Sequence, residues 1–143
     1  WRTRAIDSVA PDENLDVRFF DALLKRLVER FGIDRSRVFV TGMSMGSELA
    51  LELAMARSQK IAAVVACSAC PSEKLWSDRP FPIMMVVGEQ ETMLLEAAKQ
   101  DMIEYRRQGH VCEVLVNHDR GHEWLPDRNM QIWRFLKQHQ LNE

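Results

Sequence analysis

A chain of 143 residues is long enough for one domain with a sizeable core. Its 46% hydrophobic and 28% charged residues are those of an ordinary globular protein. A net charge of −2 and a pI near 6.1 exclude an electrostatic case for nucleic acid or an anionic membrane surface, and no apolar run approaches the ~20 residues of a membrane span. Residues 1–10 lack periodicity and read as surface loop. From about Asp12 to Phe31, Val17, Phe20, Leu24, Leu27, Val28 and Phe31 recur at helical spacing. Pro11-Asp12 is a start signal for this helix and Gly32 a stop. A short apolar strand follows at Val38–Thr41, then Gly42-Met43-Ser44-Met45-Gly46, then a helical pattern from Glu48 to Arg57 with Leu49, Leu53 and Ala56 on one side.

Ile61 to Cys67 is apolar without alternation and bounded by turn residues, the pattern of a strand buried on both faces. Residues 68–79 are polar and irregular, with Trp76 as a local anchor. Phe81 to Val87 is another apolar strand, ending at Gly88, and Glu89-Gln90-Glu91 leads into a helix from about Met93 to Gln108 that stops at Gly109. Val111–Val116 is the last strand. A final helix from about Arg128 to Gln140 buries Met130, Trp133 and Leu136. Strands alternate with helices and no two are joined by a hairpin turn. The expected fold class is therefore α/β, a three-layer α/β/α domain over residues 1–143 with a mostly parallel sheet.

The residues at 42–46 carry the chemistry. A G-x-S-x-G between a strand and a helix is the nucleophile elbow of serine hydrolases. The chain must reverse within a few residues, which leaves the serine backbone strained and its hydroxyl projecting. A Cβ at Gly42 or Gly46 is expected to collide with the neighbouring strand or helix. The following helix points its N-terminal N–H groups at the site, and Met45 N–H is placed to hold an oxyanion.

An acid and a base are expected downstream in that order. Glu89-Gln90-Glu91 follows one strand, and Asn117-His118-Asp119-Arg120-Gly121-His122-Glu123-Trp124 follows the next. All three groups thus come at the ends of strands, which in a parallel sheet share one edge. An imidazole can take the serine proton while a carboxylate fixes its tautomer. Met43 and Met45 flank Ser44 and border the site, whereas Met84 and Met85 read as core. Trp124 is either a pocket wall or a core anchor. His110 reads as a surface turn residue and His139 as a helix-end residue complementing the dipole.

Three cysteines argue against a disulfide scaffold. Cys67-Ser68-Ala69-Cys70 has C-x-x-C spacing, but no further zinc ligands are evident and Cys67 ends a strand rather than opening a helix, so small apolar packing is the better reading. No metal or cofactor is implied. No basic-then-apolar leader is seen, and a chain starting at Trp1 reads as a processed product or a fragment.

With these residues in view, the chain resembles the C-terminal portion of an α/β-hydrolase of the esterase/polyhydroxybutyrate-depolymerase-like group. The resemblance rests on Gly-Ile-Asp-Arg-Ser-Arg-Val-Phe-Val-Thr-Gly-Met-Ser-Met-Gly at 32–46, on the Pro-Ile-Met-Met-Val-Val-Gly strand and on Gly-His-Glu-Trp at 121–124. It implies Ser44 as nucleophile and His122 as general base, with His118 as the alternative base. For the acid it implies Glu91, where the family usually has Asp; Glu89 is the competitor, then Asp119. Ser47-Glu48 departs from the family's second glycine and neutral residue, which puts the substrate pocket in question more than the nucleophile.

The family's sheet has further, earlier strands, and one loop among them bears the other oxyanion donor. Strand 38–41 is therefore expected to present an open apolar edge, prone to self-association. The implied activity is hydrolysis of small-molecule or polymeric esters, with no nucleic acid partner. A serine peptidase or thioesterase on the same machinery, and a catalytically impaired fragment or interaction module, are the alternatives.

Overall fold

The structure, a computed structural model, describes residues 13–69 and 76–142. Its elements in chain order are α1 (Leu15–Phe31), β1 (Phe39–Met43), α2 (Met45–Ala56), β2 (Ala63–Cys67), β3 (Ile83–Gly88), α3 (Thr92–Arg107), β4 (Cys112–Asn117) and α4 (Asn129–Leu136). The four strands form one parallel sheet in the order β1-β2-β3-β4. Residues on alternate sides of each strand feed two cores. Val64, Ala66, Ile83, Met85 and Val87 pack with side chains of α1, α2 and α3. Ala63, Val65, Cys67, Met84 and Val86 pack with Ile132, Phe135 and Leu136 of α4. The sheet is thus covered on both faces, which is why β2 and β3 are apolar throughout. Among the described residues, no helix is long and apolar enough to cross a membrane.

Local chemistry sets the boundaries, and several differ from expectation. α1 starts at Asn14, two residues later than the Pro11-Asp12 signal suggests. The Asn14 side chain accepts from Asp16 N–H at 2.9 Å and Val17 N–H at 3.3 Å. It ends on Gly32 in a left-handed conformation (φ +60°), as expected. Phe31 lies beyond the buried stripe, exposed under Arg30. β1 runs through Gly42 and Met43, so the turn is confined to Ser44. α2 is not amphipathic: Leu49, Ala50, Leu51, Leu53, Ala54 and Met55 are all buried, so the helix is enclosed on most sides. α4 buries Leu136 as expected, but with Ile132 and Phe135, and it leaves Met130 and Trp133, expected to be buried, largely exposed. Trp133 instead meets Phe39 edge-on at 6.3 Å. Trp76 is 68% exposed, so it is not the buried anchor expected.

Two histidines also lie where spacing did not put them. His110 is buried between the rings of Phe81 and Tyr105, its Nδ1 within hydrogen-bond distance of the Phe81 backbone. Burial holds its pKa below the ordinary value. His139 falls after the end of α4 and packs on Phe135 at 4.8 Å. β1 hydrogen-bonds only to β2 among the described residues, so its other edge is open. Grooves flank it, one lined by Leu23, Leu27, Val38 and Trp133, the other by Val40, Gly46, Leu49 and Leu53.

Candidate active site

The turn at Ser44 is built by steric exclusion and three hydrogen bonds. Ser44 has φ +55° and ψ −127°, a conformation costing an L-residue on the order of 1–3 kcal/mol. A Cβ on Gly42 would lie 2.2 Å from Gly46 O and 2.3 Å from Gly46 C, so only glycine lets α2 start so close to β1. Gly46 is different: a Cβ there meets nothing within 4 Å, because it faces the groove beside the open edge of β1. The expected collision at Gly46 does not occur. Ser44 N–H donates to Cys67 O at 2.9 Å. Ser47 is fully buried and its Oγ lies 2.6 Å from Ser44 O and 2.9 Å from Cys67 O. The serine that departs from the usual glycine therefore ties the turn to the end of β2 rather than shaping a pocket. Met45 N–H is the first of α2, where a helix offers no carbonyl four residues back.

Glu91 and His122 meet at the ends of β3 and β4. Glu91 Oε1 lies 2.6 Å from His122 Nδ1. An ionised carboxylate only accepts, so Nδ1 carries a proton toward Glu91, and in the neutral imidazole the lone pair is on Nε2. Glu91 Oε2 accepts from Ser68 Oγ at 2.7 Å and from Gly88 N–H at 2.8 Å. The glutamate side chain is 6% exposed while His122 is half-exposed. Burial pushes the Glu91 carboxyl up, but the Ser68 hydroxyl, the Gly88 N–H and His122 together outweigh it and hold the group below the usual carboxylate range.

The loop carrying His122 is laid across the end of β3. Gln90 N–H donates to Arg120 O at 2.9 Å. A Cβ on Gly88 would lie 2.5 Å from Arg120 O and 2.6 Å from Gly121 O. Glu89 engages the same loop from its outer side: its carboxylate accepts from Asp119 N–H at 3.1 Å and lies 3.3 Å from His118 Nδ1. The Asp119 N–H and His118 hold this exposed carboxyl below its usual range. The two glutamates thus have separate histidines.

Ser44 is connected to this pair through the backbone, since Cys67 accepts its N–H and Ser68, the next residue, holds Glu91. β1 and β3 are two ladder spacings apart, roughly 10 Å. No hydrogen bond joins Ser44 to His122 among the described residues. Met45 is about half-exposed beside Ser44, whereas Met43 packs against the α4 core. Met84 and Met85 are core, as expected. Trp124 lines a small hollow with Cys67, Ser68, Asn117 and Arg128, where Arg128 Nε donates to Asn117 Oδ1 at 2.8 Å. Cys67 is a free thiol pushed by burial to about 11, which removes it from thiolate chemistry. Cys70 lies outside the described residues.

Sequence reasoning missed Ser68, Ser47 and Gly88 as parts of this cluster. Ser68 lies inside a C-x-x-C spacing that points to other chemistry, and no local pattern marks a residue whose partner is 23 positions away.

Comparison with known proteins agrees with this architecture. The family model for phospholipases and carboxylesterases matches residues 14–140. No protein of curated function matches the sequence. The fold is similar to that of a thermostable esterase, with a TM-score of 0.75, 16% identity, and coverage of 90% of this chain and 38% of that one. It is similar also to SOBER1 from Arabidopsis thaliana (TM-score 0.73, 19% identity, 87% and 63% covered). A carboxylesterase from Mesorhizobium loti is a third such structure (TM-score 0.66, 14% identity, 82% and 57% covered). The chain spans between 38% and 63% of the length of these three structures. By the family match and the fold, the chain belongs to the phospholipase/carboxylesterase family of α/β-hydrolases.

Proposed function

We propose that the chain carries the catalytic elements of a serine hydrolase acting on carboxylic esters, with Ser44, His122 and Glu91 as nucleophile, base and acid. The observation that carries this reading is the 2.6 Å contact of Glu91 with His122 Nδ1, at the same sheet edge as a serine held in a strained turn. In this mechanism Ser44 Oγ attacks the ester carbonyl carbon and its proton passes to His122 Nε2. The carbonyl oxygen becomes an oxyanion, which accepts from Met45 N–H. The tetrahedral species collapses, and the alcohol leaves with the proton from His122. Water then attacks the acyl group on Ser44 by the same path in reverse. Glu91 keeps the proton on Nδ1 and stabilises the imidazolium. Glu91 is preferred to Glu89 because Glu89 is spent on His118 and the Asp119 N–H. No Ser44–His122 hydrogen bond is needed in the free chain for this reading, because catalytic hydrogen bonds in empty sites are often long and tighten when substrate binds. Met45 and Trp124 border the substrate, with Met43 beneath them. Small esters and the ester links of a polymer present the same carbonyl to this machinery, so the depolymerase-like reading is a choice of substrate rather than of mechanism. Peptide and thioester substrates are the neighbouring variants.

The test is hydrolysis of p-nitrophenyl acetate. Ser44→Ala and His122→Ala should abolish turnover above background, and Glu91→Gln should lower kcat about 10³-fold or more. Turnover that survives Ser44→Ala rejects the assignment.

A further inference from the structure

Among the described residues, only Ser44, Ser68 and Asp119 combine a side chain with a positive φ. All three lie at the site edge of the sheet. Ser68 has φ +52° and is buried, a place where glycine would sit without strain. What serine offers there and glycine lacks is a hydroxyl. That hydroxyl donates to Glu91 Oε2 at 2.7 Å. Its position is fixed by the sheet, because Ser68 N–H donates to Val86 O at 2.8 Å. With Gly88 N–H on the same oxygen at 2.8 Å, Oε2 is held from two sides and Oε1 is left for His122. A glutamate reaches further than the aspartate usual in this family and has one more torsion, with a broad terminal well. It needs more restraint to present one oxygen.

We infer that Ser68 is a positioning residue, whose hydroxyl locks the rotation of the Glu91 carboxylate and so aims its other oxygen at His122. This rests on the reading of Glu91 and His122 as an acid–base pair. The strained backbone at Ser68 is then a cost accepted for the placement of one hydrogen bond.

The experiment compares wild type with Ser68→Gly and Ser68→Ala. The Glu91 carboxyl is titrated by carbon-detected NMR, kcat and KM are measured on p-nitrophenyl acetate, and thermal unfolding is recorded. Ser68→Gly should unfold at a higher temperature than Ser68→Ala, because both lose the hydroxyl but only glycine relieves the left-handed strain. Glu91 should titrate at higher pH in both variants. In both, kcat should fall about tenfold to a hundredfold with KM nearly unchanged. A Ser68→Gly protein with wild-type kcat and an unmoved Glu91 titration overturns the proposal. So does loss of kcat in Ser68→Ala alone, which would assign the effect to backbone rather than hydroxyl. The titration requires no turnover. A wild type that hydrolyses nothing would reject the hydrolase reading, and the Glu91 shift would still decide the role of Ser68.

Discussion

The two glycines of the turn should respond oppositely to one methyl group. In Gly42→Ala the new Cβ would lie 2.2 Å from Gly46 O and 2.8 Å from Ser47 N. Contacts below 3.0 Å are essentially never seen, so the first turn of α2 must retreat from β1 by close to an ångström. Both sides of the clash are backbone, and no rotamer can relieve it. Overpacking usually costs about 1–3 kcal/mol, and a rigid obstacle puts this case at ~3 kcal/mol. At roughly 3 °C per kcal/mol for a chain of this size, Tm falls by about 9 °C. The retreat also carries Ser44 with it, and a displacement of ~1 Å costs about 10²-fold in rate. In Gly46→Ala the Cβ meets nothing within 4 Å inside the first turn of a helix. Alanine is favoured there by about 0.5–1 kcal/mol, so Tm rises by about 2–3 °C. Differential scanning calorimetry of both variants is the assay. Equal losses at the two positions would refute the steric account of the turn.

Other expectations follow from the same geometry. In Gly88→Ala the methyl group pushes against Arg120 O and Gly121 O, so His122 is displaced; hydrolysis should fall about 10²-fold, and more steeply than Tm. Glu91 has a depressed folded pKa, so its contribution to stability is present above its ordinary value of 4.5 and is lost as pH falls through the folded value. Urea midpoints of Glu91→Gln should therefore lie well below wild type at pH 7 and converge with it at pH 3. Asp101 has the opposite sign. Its Oδ2 is buried without a hydrogen-bond partner among the described residues, and burial pushes its carboxyl up to about 6 from 3.8. The folded state then binds the extra proton, so stability falls as pH rises from about 4 to about 6. Asp101→Asn should raise the urea midpoint at pH 7 and change it little at pH 4. Finally, β1 pairs on one side only among the described residues, and we propose that this edge supports self-association. Thr41→Lys, at an exposed position of that strand, should reduce concentration-dependent sedimentation.

The order of elements was legible because unalternating apolar strands and capped helices leave strong local marks. Gly42 to Gly46, Glu91 and His122 could be read in the same way, since a strained turn and the residues after strand ends are local features. What could not be read depended on contacts between distant segments. In α4, Met130 and Trp133 fit helical spacing as well as Ile132 and Phe135 do, and only the sheet beneath selects the second pair. Nothing near His110 announces Phe81 and Tyr105 as its neighbours. α2 looked one-sided because its alanines count little toward an apolar stripe, yet Ala50 and Ala54 are what let it lie close to the strands. Ser68 acts across 23 residues, and the collision at Gly42 involves the carbonyl of Gly46, a detail of the turn that residue types alone do not contain.

The central claim is that Ser44 is a nucleophile activated by His122. It is tested most directly by treating the protein with a fluorophosphonate and mapping the modified peptide by mass spectrometry. The account predicts a single adduct on Ser44, absent in Ser44→Ala and strongly slowed in His122→Ala. An adduct on another residue, or labelling undiminished in either variant, would contradict it.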